Sequence, residues 1–166
     1  MSMDEYAFRA ARPGDEAVIA RFVRALAVVE GLEAEVVATT AHYRRALFAE
    51  HPRVFALIVE AAGEAIGFAL WFYNYSTFNG LPGLYVEDVY VDAAWRGRGI
   101  GTALFRHLAR LAVAEGCGRM EWWVLDENTP AVAFYRRIGA RAMNEWTVER
   151  LAGATLAALA SGKGDA

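Results

Sequence analysis

Leu84-Tyr85-Val86-Glu87-Asp88-Val89-Tyr90-Val91-Asp92-Ala93-Ala94-Trp95-Arg96-Gly97-Arg98-Gly99-Ile100-Gly101 is the stretch whose reading decides the fold. Leu84, Tyr85, Val86, Val89, Tyr90 and Val91 are β-branched, aromatic or aliphatic and lie between Pro82-Gly83 and Asp92-Ala93, which predicts a strand. Beyond the glycine-rich turn, Ile100, Leu104, Leu108 and Leu111 recur on one helical face, and Gly116 marks the helix end. A helix N-terminus presents unpaired N–H groups and a partial positive charge, and glycines let that backbone approach an anion. The unit reads as a phosphate cradle whose natural guest is a pyrophosphate.

Three glycine loops compete for this turn, and spacing separates them. A Walker loop requires Gly-Lys-[Ser/Thr], but the only lysine of the chain is Lys163. A dinucleotide fingerprint requires Gly or Ala at its last position, where counting from Gly97 gives Thr102 and counting from Gly99 gives Leu104. The pattern that remains is [Gln/Arg]-x-x-Gly-x-[Gly/Ala], filled by Arg96, Gly99 and Gly101.

Working outward, 166 residues with 56% hydrophobic content suit one domain, taken as residues 1–160, with 161–166 as a disordered tail. The net charge of −3 and the lack of a basic block argue against nucleic acid or an anionic membrane as partner. Met1-Ser2-Met3-Asp4-Glu5 is acidic rather than apolar, and no run approaches membrane-spanning length, so the reading is cytoplasmic. Cys117 stands alone and can form no internal disulfide, and the dispersed His42, His51 and His107 imply no metal site.

The flanking elements follow from the same rules. Tyr6 to Ala10 reads as a strand, and Asp15 as the cap of a helix whose buried face carries Val18, Ile19, Phe22, Val23, Leu26 and Val29. Thr39 or Thr40 opens a short second helix, and Val54 to Ala61 with Ala65 to Tyr75 form a hairpin. Met120 to Leu125 is a strand, Pro130 to Ile138 a helix, and Trp146 to Leu151 a last strand. This order predicts an α/β chain of the α+β type, a mixed sheet with helices on both sides.

The motif of Arg96, Gly99 and Gly101 resembles the acetyl-CoA loop of the GCN5-related N-acetyltransferases. Asn128-Thr129-Pro130-Ala131-Val132-Ala133-Phe134-Tyr135, closed by Gly139, looks like that family's second signature at the right separation. A finer resemblance, from Tyr6 to Leu151, is to the branch of diamine (spermidine/spermine) and thialysine acetyltransferases, carried by Leu84 to Val91, Trp95-Arg96-Gly97 and Leu26-Ala27-Val28-Val29-Glu30. The resemblance implies a mostly antiparallel sheet of about six to seven strands, an acyltransferase using acetyl-CoA as donor, a small-molecule amine as acceptor, and a homodimer.

The residues themselves state the chemical problem. An alkylamine of pKa about 10.4 is neutral in about one molecule in 2,500 at pH 7, a handicap of about 4.6 kcal/mol, so a proton must be removed. Glu87 and Asp88 are candidates because two carboxylates interrupt an otherwise apolar strand. Neighbouring strand residues face opposite ways, so only one reaches a given site unless the strand is bulged, as the family's is. By the resemblance, Glu87 is the general base acting through a water, Asp88 and Glu30 face the cationic acceptor, and Tyr135 is the acid that protonates the leaving thiolate.

The resemblance also makes the Val89 N–H the oxyanion donor. It pairs Val89-Tyr90-Val91 with the pantetheine arm, counts Arg96 at the head of the motif among the coenzyme-binding residues and sets Gly97, Arg98, Gly99, Ile100, Gly101 and Thr102 around the pyrophosphate, with Asn128 on the pantetheine side. Tyr75-Ser76-Thr77-Phe78 lacks the acidic residue expected of a polyamine enzyme, which points to a shorter, thialysine-like acceptor. Two other readings share the cradle: a protein or peptide acetyltransferase with an open groove, and an acyl-CoA-binding module without chemistry.

Overall fold

Hydrophobic alternation on both faces of the central strands dictates a sheet covered on two sides. The computed structural model describes residues 6–162 and divides into two compact units, 1–132 and 133–166. The acidic start Met1 to Glu5 and the tail residues 163–166 lie outside the described residues. The first unit contains β1 (Tyr6–Ala10), α1 (Glu16–Glu30), α2 (Thr40–Leu47), β2 (Phe55–Ala61), β3 (Glu64–Ser76), β4 (Leu81–Val91), α3 (Ile100–Ala114) and β5 (Arg119–Glu121). The strands lie in the order β1-β2-β3-β4-β5, antiparallel throughout except for the parallel pair β4 and β5.

Strand β2 shows why both faces are covered. Leu57 and Val59 turn to the side of α3, where Ile100, Leu104 and Leu108 are buried with Trp71, Leu84 and Val86. Ala56 and Ile58 turn to α1 and α2, where they pack with Ile19, Phe22, Leu47, Phe68 and Leu70. The rings of Phe22 and Phe68 stack at 5.5 Å and tie α1 to the sheet.

Several expectations are corrected. The sheet has five strands among the described residues, not six or seven. The strand expected over Met120 to Leu125 is the shorter Arg119–Glu121. Beyond it, Trp122 packs edge-on against Phe105 at 5.0 Å and Trp123 against Tyr85 at 6.1 Å. Residues Trp146 to Leu151 form no strand, and Trp146, Val148 and Leu151 are exposed. Asp15 does not cap α1 with its side chain. Its carboxylate instead accepts from the Arg9 guanidinium at 2.7 and 2.9 Å and from the Arg12 N–H at 2.8 Å, which holds its pKa below the usual carboxylate range. Thr39 does open α2, in a reciprocal capping box with His42.

Within the second unit, Phe134 and Tyr135 lie on α4 (Thr129–Arg137), which ends at Gly139 with φ 94°. A further helix that the sequence reading did not include, α5 (Gly153–Ala160), precedes the turn at Ser161 and Gly162.

The packing of β3 on β4 leaves no room at Gly67. A Cβ there would lie 2.6 Å from the Tyr90 carbonyl oxygen and 3.3 Å from Val91 Cα, both main chain. Gly67→Ala is expected to lower stability by about 1–3 kcal/mol by pushing β4 away, as measured by thermal or urea unfolding.

Candidate active site

The site grows from one irregularity. Leu70 pairs with Asp88 and Trp71 with Val86, so Glu87 is an extra residue in β4 with no partner in register on β3. This bulge reverses the facing of the strand. Leu84 and Val86 before it, and Val89 and Val91 after it, all turn to the α3 core, although an unbroken strand would alternate them. Asp88 consequently faces α1, while Glu87 is exposed at the bulge.

The same strand has an open edge. Strand β5 pairs with β4 only at Gly83, Leu84 and Tyr85 and stops at Glu121. The Asp92 N–H donates to the Ile66 carbonyl at 2.8 Å, one step beyond the Gly67 and Val91 pair. Antiparallel bonding alternates, so Tyr90 and Asp88 direct their main-chain groups to β3, whereas Val89 and Val91 direct theirs outward. In agreement, the Val91 carbonyl accepts from Arg96 Nε at 2.8 Å. Of the segment Val89-Tyr90-Val91, two residues thus offer main chain at the edge, and the Tyr90 ring packs on Phe22 at 5.8 Å.

The glycine turn lies directly after this edge. Gly97 and Gly99 have φ 77° and 80°, a left-handed backbone that side chains rarely adopt, and nothing crowds the position of a Cβ at either. Gly99 caps α3 without a side chain, and the first α-helical bond runs from Ala103 N–H to the Gly99 carbonyl. The N–H groups of Ile100, Gly101 and Thr102 precede it and face the helix end, the arrangement that suits a pyrophosphate. The Ile100 side chain is buried in the core, so this residue brings only its main chain, and the Arg98 guanidinium lies 4.8 Å over the Trp95 ring. Metal-ligating clusters are absent among the described residues.

Beside the bulge, a cavity of about 290 Å³ opens between α1 and the segment after it. Glu30, Glu35 and Asp88 line it together with apolar walls that include Val23, Leu26 and Val36. Burial, then the neighbouring Glu87 and Glu30 charges, push the Asp88 carboxyl up to about 6, and burial raises Glu30. Tyr43 on α2 is raised by burial and then by the Asp88 charge. The other buried or half-buried carboxylates meet arginines: Asp15 and Glu60 with Arg9, Glu16 with Arg44, Asp92 with Arg21, Glu121 with Arg119. Glu30, Glu35, Glu87 and Asp88 join no such pair among the described residues.

The structure thus brings together Glu30, Glu87 and Asp88 of the expected residues and adds Glu35 and Tyr43, which sequence reasoning missed. Glu35 reaches the cavity because the chain turns back at Gly31 and a short 3₁₀ turn, Glu33–Glu35, follows. Nothing in the local sequence signals that return. Asn128 helps to open α4, where its Oδ1 accepts from the Ala131 N–H at 3.3 Å, leaving Nδ2 as the side-chain group suited to a ligand. Tyr135 lies beside Phe134, ring centroids 5.4 Å apart, and its carbonyl accepts from the Ala140 N–H.

A bulged strand with an open edge, a glycine turn at a helix N-terminus and an acidic groove thus lie next to one another along β4 and α3. Comparison with known proteins gives the family. The pattern described as "Acetyltransferase (GNAT) family" matches residues 23–140. Thialysine N-epsilon-acetyltransferase of Sus scrofa is 35% identical over 92% of this chain and 95% of its own length. Human spermidine/spermine N(1)-acetyltransferase-like protein 1 is 31% identical over 84% of this chain and 21% of its own. Among solved structures, an integron cassette protein from V. cholerae superposes with a TM-score of 0.77 at 25% identity, covering 93% of this chain and 97% of that one. The chain belongs to the acetyltransferase (GNAT) family and is an N-acetyltransferase.

Proposed function

We propose that the protein moves the acetyl group of acetyl-CoA directly to the primary amine of a small aminoalkyl substrate, a thialysine- or lysine-like amino acid or a diamine, with both substrates bound together. The observation that carries this reading is the groove of Glu30, Glu35 and Asp88, in which the half-buried Glu30 and Asp88 lack a cationic partner among the described residues, whereas the other buried or half-buried acids, Asp15, Glu16, Glu60, Asp92 and Glu121, each meet an arginine. Its volume lies at the small end of ligand sites and suits an alkylamine.

In this reading Asp88 and Glu30 hold the ammonium, and Glu87 removes its proton through a water. The neutral nitrogen attacks the thioester carbonyl, the C–N bond forms, and the Val89 N–H stabilises the charge that develops on oxygen. The C–S bond then breaks as the nitrogen gives up its second proton to water, and the Tyr135 hydroxyl gives its proton to the leaving thiolate and regains one from solvent. Val91 adds its outward main chain to the pantetheine ladder, while Gly97 to Thr102 cradle the pyrophosphate.

The test is release of free thiol from acetyl-CoA with a panel running from aminoethylcysteine and lysine through diamines to spermidine. Turnover with one short amine supports the reading. Tight coenzyme binding with no turnover on any amine sinks it in favour of a binding module, and acetylation confined to proteins redirects it to a protein substrate. Within the panel, Glu35→Gln is expected to raise KM for a diamine about two- to fivefold while leaving a monoamine of equal length unchanged, since an exposed carboxylate can read a second positive charge but only weakly.

A further inference from the structure

We infer that Arg96 is a positioning residue and not a phosphate ligand: its Nε–H closes the open edge of β4 at the Val91 carbonyl and so fixes the glycine cradle relative to that edge. The inference rests on the coenzyme reading above and concerns how the coenzyme site is held.

The outward groups of the edge follow one another as Val89 N–H, Val89 carbonyl, Val91 N–H and Val91 carbonyl. The last is already occupied by Arg96 Nε at 2.8 Å. An amide-bearing arm added to this edge therefore meets three free groups and ends where Arg96 begins. The guanidinium is held at a second point, 5.3 Å from the centroid of the Tyr90 ring, which itself packs on Phe22 of α1. Arg96 is thus drawn toward the α1 side of the sheet edge.

Between this anchor and the first-turn N–H groups of α3 stand Gly97 and Gly99, the two left-handed and least restrained joints of the turn. A loop with two such joints loses much freedom when it closes on a ligand. Tying its first residue to the end of β4 removes part of that loss in advance.

The chemistry of the bond makes the role separable from charge. Arg Nε is bonded to Cδ, and so is the Nε2 of glutamine. Glutamine at this position places an N–H donor where the arginine donor stands, without a charge. Lysine keeps the charge but places a methylene, Cε, at that point.

The experiment is calorimetric titration of coenzyme A into the wild type and into Arg96→Gln, Arg96→Lys and Arg96→Ala, at two salt concentrations, with thermal unfolding of each. Arg96 is exposed, so all four are expected to fold alike. The glutamine variant is expected to bind within about twofold of wild type. Lysine and alanine are each expected to weaken binding about three- to tenfold, with an unchanged salt dependence and an unchanged kcat at saturating acetyl-CoA. Wild-type affinity in the lysine variant together with loss and a shallower salt slope in the glutamine variant overturns the strut and makes Arg96 a phosphate ligand. Equal affinity in all four removes any role. Failure of the wild type to bind coenzyme A overturns the coenzyme reading itself, and this inference with it.

Discussion

Glu87→Gln is expected to lower kcat by about 10²- to 10³-fold at pH 7 with a coenzyme Kd within twofold of wild type. The acceptor enters as an ammonium, and its neutral form is rarer by about 4.6 kcal/mol, so a nearby base contributes most where that form is scarcest. Glu87 sits at the bulge, exposed to water and adjacent in sequence to the residue that faces the groove, so a bridging water can link it to the nitrogen. Glutamine keeps the shape and removes the basicity. The deficit should therefore shrink as pH rises from 7 toward 10, because solvent then supplies the neutral amine. Initial rates of thiol release across that range, for wild type and variant, decide the matter. A variant within threefold of wild type at pH 7 would move the base to another group, with Asp88 the first to test. Tyr135→Phe should behave differently, with a loss of kcat that persists at high pH, because the proton it gives goes to the thiolate and not from the amine.

The parts of this site that were legible in the sequence are those written in contiguous residues. Leu84 to Val91, the turn and α3 follow each other along the chain, and their side-chain types determine strand, turn and helix with little help from elsewhere. The bulge is different. Each residue from Leu84 to Val91 fits either register, and only pairing with Leu70 and Trp71 shows that Glu87 is the extra one. For the same reason the outward direction of Val89 and Val91, as against the inward direction of Tyr90, depends on which β3 carbonyl receives Asp92. Glu35 was illegible because its place in the groove depends on the fold-back after Gly31, a tertiary event. Trp146 to Leu151 failed in the opposite sense. Its alternation of apolar and polar residues has strand character, but a strand needs a neighbour to bond, and in the described residues this segment has none.

Asp88→Asn is expected to raise stability at pH 8 while weakening the enzyme. Asp88 lies on the α1 side of β4 in a groove with Glu30 and Glu35, with Glu87 adjacent in the chain and Tyr43 facing it from α2. Burial first, then the Glu87 and Glu30 charges, lift its pKa from 3.8 to about 6. The folded state thus holds this proton more tightly than the unfolded chain. Well below pH 3.8 the carboxyl is neutral in both states and costs nothing; as pH rises from about 4 to about 6 the unfolded chain ionises while the folded protein keeps the proton, so stability falls across that window and the loss is complete once the folded protein carries the charge above about 6. The full cost is about 3 kcal/mol at most, and less where solvent reaches the groove. Asparagine is neutral at every pH and removes it. The variant should melt about 4–8 °C higher than wild type at pH 8, with most of the gain gone by pH 4. An ammonium in the groove offsets that same cost in the wild type, so the variant should also raise the acceptor KM tenfold or more. Unfolding curves at pH 4 and pH 8 and acceptor saturation curves test the two halves independently. A melting temperature lowered equally at both pH values would show that Asp88 holds the fold together, and that its carboxylate is not kept for a cationic ligand.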